Sequence, residues 1–212
     1  PHAPYSVSDP AMQIISTYAN ELDMPVHIHC HETAEEITES LANYGCRPLA
    51  RLRNLGLLLP QTQLVHMTQV DAGDIKLIQD HNCHVVHCPE SNMKLASGFC
   101  PAGQLIDAGI NVALGTDGAA SNNDLDLFGE LKTAALLTKA VAGDAAALDA
   151  HAALRMATIN GAKALGWDDQ IGSLEAGKSA DIIAVEINSI TQQPLYNPAS
   201  QLVYTNSGSQ VT

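Results

Sequence analysis

Pro25-Val26-His27-Ile28-His29-Cys30-His31-Glu32 is the stretch on which the reading of this chain turns. Its short apolar core predicts a buried β-strand, and helical signals follow at once. Three further runs have the same character: Gln63-Leu64-Val65-His66-Met67, Cys83-His84-Val85-Val86-His87-Cys88 and Asn111-Val112-Ala113-Leu114-Gly115-Thr116-Asp117. Between them lie helical patterns at Ala34–Tyr44, with acids in its first turn and Gly45 beyond its end, at 72–80, and at 103–108 before Gly109. Strand and helix alternating at this spacing predict βαβ units and a parallel sheet, an α/β fold. A long helix is expected over 122–142, and another from an N-cap at Asp149 to a stop at Gly166. After the polar turn Trp167-Asp168-Asp169, one more strand is expected over 180–187. The change in composition near Trp167 predicts a boundary between a strand–helix unit, 1–167, and a smaller β portion, 168–212.

The 212 residues are 46% hydrophobic, enough chain to bury a sizeable core. Ten Lys and Arg face 23 Asp and Glu, a formal charge of −13, which repels polyanions and argues against a nucleic-acid partner. No apolar run approaches the roughly 18 residues of a membrane-spanning helix, so no membrane partner is expected. The five cysteines (Cys30, Cys46, Cys83, Cys88 and Cys100) are scattered and form no C-x-x-C. They are expected to pack as small hydrophobes in a reducing cytoplasm. Dinucleotide, P-loop and nucleophile-elbow signatures are missing, as is that of the small zinc deaminases. The chain opens at Pro1 without a methionine and stops in mid-pattern, as a piece of a longer protein does.

Polar residues gather where the strands should end. His29 closes the first, His66 the second and Asp117 the fourth, while His87-Cys88-Pro89-Glu90-Ser91-Asn92 makes the third polar at its mouth. In parallel α/β architectures those carboxyl ends form one rim, where active sites are built. His27, His29 and His31 alternate and are expected on one face, with Glu32 at the exit. Imidazoles and a carboxylate together suit Zn²⁺ or Fe²⁺. Each residue taken singly has a plainer reading: a satisfied core histidine, or an Asp-Gly turn at Asp117. His66 reads as a catalytic or orienting base beside such a metal site. His81 and His151 are expected on helix surfaces, and the facing of His84 stays open.

These motifs, with Pro1-His2-Ala3-Pro4-Tyr5-Ser6, Ala157-Thr158-Ile159-Asn160-Gly161-Ala162 and Gly172-Ser173-Leu174-Glu175-Ala176-Gly177-Lys178, together resemble the amidohydrolase superfamily. The nearest branch is the aminohydrolases that take 5′-methylthioadenosine, S-adenosylhomocysteine or s-triazines. The resemblance implies the C-terminal half of a (β/α)₈ TIM barrel followed by part of a small β-sandwich. It implies one metal per subunit, zinc or iron, held here by His29 and Asp117. A His-x-His pair on an earlier strand is expected before Pro1. It further implies catalytic roles for Glu32, His66 and Asp117, and substrate binding by His2 and Glu32. His29 is preferred to His27 or His31 through the family's spacing to Glu32. The implied activity is hydrolytic deamination of an aminated purine nucleoside, with Asp117 taking a proton from water, His66 orienting the nucleophile and Glu32 acting as acid. Guanine, another amino-purine, a pterin or an s-triazine is the alternative substrate, and a non-catalytic metal-binding barrel the alternative of another class. A small-molecule substrate and a homo-oligomer are expected, and half a barrel on its own should be inactive.

Overall fold

The computed structural model describes all 212 residues. Four strands form one parallel sheet in the order β1-β2-β3-β4: β1 (Val26–Cys30), β2 (Thr62–His66), β3 (His84–His87) and β4 (Val112–Leu114). Each expected strand is present; β1, β3 and β4 are shorter than expected, and β2 is displaced by one residue toward the N-terminus. The spatial order follows the chain without a reversal, so each crossover advances by one strand. No topological switch point, where the strand order of a doubly wound sheet reverses, lies within these four strands.

The crossovers are helical. α1 (Asp9–Glu21) precedes β1, and α2 (Ala34–Tyr44) with α3 (Pro48–Asn54) joins β1 to β2. α4 (Ala72–His81) leads to β3, and α5 (Pro89–Lys94) with α6 (Ala102–Asp107) leads to β4. α2 begins where expected because the Thr33 side chain accepts from the Glu36 N–H and the Glu36 carboxylate takes the Glu32 N–H. α4 has a reciprocal capping box between Asp71 and Asp74. The helix expected over 122–142 starts later, as α7 (Leu127–Ala142), because Asp126 caps it and Asn122 is occupied in the preceding loop. The helix expected to end at Gly166 is two, α8 (Ala150–Met156) and α9 (Ile159–Leu165), broken at Thr158 (φ −129°, ψ −100°). The strand expected over 180–187 is not formed. Only Val185 bridges, antiparallel, to Val211, because no other extended segment lies alongside to complete a ladder. The apolar run at Leu202 belongs to α10 (Pro198–Thr205), which buries Ala199 and Val203 against α7 and α8.

Alternation sorts the sheet into two unlike faces. Val26, Ile28, Cys30, Leu64, Val85 and Val112 point into the main core with Met12, Leu49, Leu52, Ile78, Leu105 and Leu131 from the helices. The other face holds only a small apolar patch, Val65, Val86 and Cys88, beside the polar side chains of His27, His29 and Gln63. Gly115 sits against that patch: a Cβ there would lie 2.9 Å from Val86 Cγ1 and 3.3 Å from Cys88 Sγ. α9 closes the N-terminal end of the sheet, where Gln63 donates to the Ala164 carbonyl and Asn160 to that of Val112. The tail is tied back by Asp126, whose Oδ2 accepts from the Gly208 N–H while Oδ1 caps α7. No helix is long and apolar enough to cross a membrane. Cys30, Cys83, Cys88 and Cys100 are buried thiols, as expected, and burial pushes Cys83 up to about 12.

His31 corrects the expectation of three histidines on one face. β1 ends at Cys30, and His31 has a left-handed backbone (φ 54°) that turns its ring into the protein. Its Nδ1–H donates to the Gln69 carbonyl (3.1 Å), and its Nε2 accepts from the Leu49 N–H (3.0 Å). Both bonds together require the neutral ring. Burial lowers the pKa to about 4 against the opposing pull of Asp74, whose Oδ2 is 3.5 Å away, so the contact is not an ion pair at neutral pH. His87 is also lowered to about 4, by burial and then by His66. The unfolded chain takes up these two protons near pH 6.5, the folded chain only near 4. The stability contributed by these two neutral rings is therefore expected to be complete above pH 6.5 and to fall between 6.5 and 4, opposed over that range by Glu130, whose carboxyl burial raises to about 7. With that opposing group removed in Glu130→Gln, a urea midpoint that does not move across the interval would contradict the buried neutral rings.

Candidate metal centre

The site stands where β1, β2 and β4 end. One donor atom from each of His29, His66 and Asp117 lies within 4.8 Å of the others. His29 is the last outward-facing residue of β1, and alternation alone places it on the open face. His66 is different. Its partner in register is Cys30, whose side chain points into the helix-covered core. A left-handed backbone at His66 (φ 76°), continued at Met67 (φ 48°), turns the ring to the rim, where it stacks on His29 with centroids 5.3 Å apart. Asp117 is left-handed as well (φ 62°). Such conformations cost about 1–3 kcal/mol each in non-glycine residues and persist where surrounding contacts enforce them.

Those contacts are specific. The carbonyl of His2 accepts from both the backbone N–H (3.0 Å) and the Nδ1–H (2.8 Å) of His29. A carbonyl cannot donate, so the His29 proton sits on Nδ1 and its Nε2 lone pair is free. The His2 ring stands 5.0 Å from that of His29 and 5.8 Å from Tyr5, and its Nδ1 pairs with Ser6. His66 Nδ1 is 2.8 Å from Asn92 Oδ1, and Asp117 Oδ2 accepts from Ser91 Oγ at 2.7 Å. Burial pushes the Asp117 carboxyl up, but hydrogen bonds from Ser91, the Gly118 N–H and Ser121, with the charge of His66, carry it below the usual carboxylate range. Two imidazoles, one with its lone pair exposed, and a carboxylate held ionised form a donor set that fits Zn²⁺ or Fe²⁺.

Glu32 stands beside this set, Oε2 3.8 Å from His66 Nε2, and Oε1 accepts from Ser97 Oγ at 3.2 Å. Thr68 fixes its backbone by donating to the Glu32 carbonyl at 2.6 Å. All five site residues singled out from sequence thus gather at one rim: His2, His29, Glu32, His66 and Asp117. His27 lies deeper, its Nδ1 2.8 Å from Gln63 Oε1, and His84 pairs with Asn111 at the opposite end of the sheet. His81 and His151 belong to the helices α4 and α8. Sequence reading overlooked Ser97 and placed Ser91 and Asn92 at the mouth of the third strand without giving either a role. The run Pro89-Glu90-Ser91-Asn92 did carry a signal, since Pro at the first position of a short helix behind a strand aims the next polar residues at the rim.

The whole chain, residues 1–212, matches the model of the amidohydrolase family. It is 60% identical to a 5-methylthioadenosine/S-adenosylhomocysteine deaminase of Teredinibacter turnerae, over 100% of this chain and 48% of that protein. An adenosine deaminase from Xanthomonas campestris with bound zinc superposes with a TM-score of 0.98 at 55% identity, over 100% of this chain and 48% of the other. An atrazine chlorohydrolase variant from Arthrobacter aurescens, complexed with zinc and atraton, gives 0.92 at 26% identity, covering 100% and 47%. The chain spans about half the length of the curated relatives it matches. With its whole length matched and its site residues gathered at one rim, the chain belongs to the amidohydrolase family.

Proposed function

We propose that the chain supplies the second half of a (β/α)₈ barrel in a zinc-dependent enzyme that deaminates 5′-methylthioadenosine or S-adenosylhomocysteine and releases ammonia. The observation that carries this reading is the meeting of His29, His66 and Asp117 within 4.8 Å, with the Glu32 carboxylate alongside. The sheet supports the barrel: its helices cover one face, its order has no reversal, and its other face is polar, as a barrel interior near its mouth is. Exposed Leu174, Ile182 and Ile183 support part of a small β-sandwich within 168–212, while α10 in the same stretch packs on α7 and α8. Deaminase names at 60% and 55% identity, against a chlorohydrolase at 26%, support loss of an amine rather than of chloride.

His29 and Asp117 would hold the metal, with two further ligands from the first half of the barrel. Zinc bound there supplies Lewis acidity that lets a water ionise near neutral pH. Asp117, kept ionised by its hydrogen bonds, accepts the proton that this water loses. His66 orients the nucleophile through Nε2. Glu32 protonates the ring nitrogen next to the attacked carbon, which makes that amidine carbon electrophilic. The proton held by Asp117 then passes through Glu32 to the amine as the carbon–nitrogen bond breaks, so that ammonia leaves neutral, and the hydroxyl proton given up as the carbonyl forms restores Glu32. His2, beside His29 at the same rim, contacts the substrate. The buried thiols suit a reducing cytoplasm.

In the full-length protein, Asp117→Ala is expected to abolish both zinc retention and turnover; full zinc occupancy by metal analysis would remove Asp117 from the ligand set. Glu32→Gln is expected to retain zinc and lose at least ~10²-fold in turnover, the scale of a positioned acid. Near-wild-type rates in that variant would exclude Glu32 as the acid. Ammonia release from methylthioadenosine, S-adenosylhomocysteine, guanine, a pterin and an s-triazine, measured side by side, is expected to favour the first two. Zinc bound without turnover of any of them would replace the enzyme with a metal-binding barrel.

A further inference from the structure

Asn92 lies in the first turns of α5, buried, with Oδ1 2.8 Å from His66 Nδ1. Its neighbour Ser91 donates to Asp117, so two consecutive residues of one short helix each grip a different side chain of the site. The helix itself is anchored. The Glu90 N–H donates to Oε2 of Glu130 on α7 at 3.2 Å, and the other oxygen of that buried carboxylate accepts from the Asn122 amide. We propose that Asn92 is the positioning residue that sets the tautomer of His66, keeping its proton on Nδ1 and turning a bare Nε2 toward Glu32 and the metal donors. This rests on the reading of His66 as a site residue.

A neutral imidazole has one donor and one acceptor nitrogen, and the partner of either decides where the proton sits. The carboxamide oxygen only accepts, so a ring nitrogen facing it carries the hydrogen. Reversing the amide would set its NH₂ against Nδ1 and move the ring proton to Nε2. There it would point among the donor atoms of His29 and Asp117 and remove the lone pair from the rim. His29 reaches the same state by another route, through the carbonyl of His2. A backbone carbonyl admits only one polarity. At His66 the side chain at position 92, whose own Nδ2 is buried without a hydrogen-bond partner, has to impose it, against the preference of the histidine side chain in water for a proton on Nε2.

The test reads the tautomer directly. In full-length protein carrying ¹⁵N-labelled histidine, free of metal and substrate and held above the imidazole titration, multiple-bond ¹H–¹⁵N correlations distinguish the two forms. The His66 pattern is assigned by its loss in His66→Gln. Nδ1–H is expected in the wild type, retained in Asn92→Asp, which keeps the acceptor, and replaced mainly by Nε2–H in Asn92→Leu. An Nε2–H form in the wild type overturns the proposal, as does unchanged Nδ1–H in Asn92→Leu. If Asn92→Leu does not fold, the wild type and Asn92→Asp decide. Since neither metal nor turnover enters the measurement, an inactive protein with Nδ1–H would defeat the deaminase reading and leave the role of Asn92 standing.

Discussion

Left-handed backbone at the strand exits is the constraint from which the site follows. Within a strand, facing is fixed by alternation, and His66 is in register with Cys30, a residue of the helix-covered core. Only by leaving the β region at its last position does β2 deliver an imidazole to the rim. His31 does the converse, turning inward from the end of β1 to become a packed, doubly bonded core residue. Two histidines thus exchange the faces that a periodic reading gives them. What holds such conformations is the set of polar contacts at each exit: Asn92 on His66, Ser91 on Asp117, and Gln69 with Leu49 on His31.

Much of this was legible from residue order. Four β-branched runs separated by helical stretches were enough for a parallel sheet, because length and flanking turn residues separate strand from helix without tertiary information. His29, His66 and Asp117 could be placed at one rim because each closes its run. The facing of His31 and His66 could not be read, since alternation holds only while the strand lasts and nothing local marks the residue where it stops. α1 was hidden by apolar residues on two sides: Met12 and Ala19 are buried while Ile14 and Tyr18 are exposed, which blurs the helical period. α3 and α5 were missed as short helices, although Pro48 and Pro89 at their first turns are recognisable starts.

The run at 180–187 fails for another reason. Ile182, Ile183 and Val185 have the composition of a strand, but a strand is a relation between segments, and composition names no partner. Here one bridge to Val211 is all that forms. The crossover strands met no such difficulty, because each finds its neighbour in the next element along the chain. Distance along the chain does not separate the well-paired sheet from the thinly paired tail, since Val185 and Val211 lie 26 positions apart and Val26 and Thr62 lie 36 apart.

Asp126 links these two regimes. One oxygen starts α7, and the other holds the N–H of Gly208, a residue 82 positions further on. The segment between Asp117 and α7 is therefore moored at one end to the rim and at the other to the tail. Displacing the segment around Gly208 would slacken a tether on the loop that carries the carboxylate donor. A proteolytic nick far from the histidines would then be felt among them as a loss of grip rather than of any ligand.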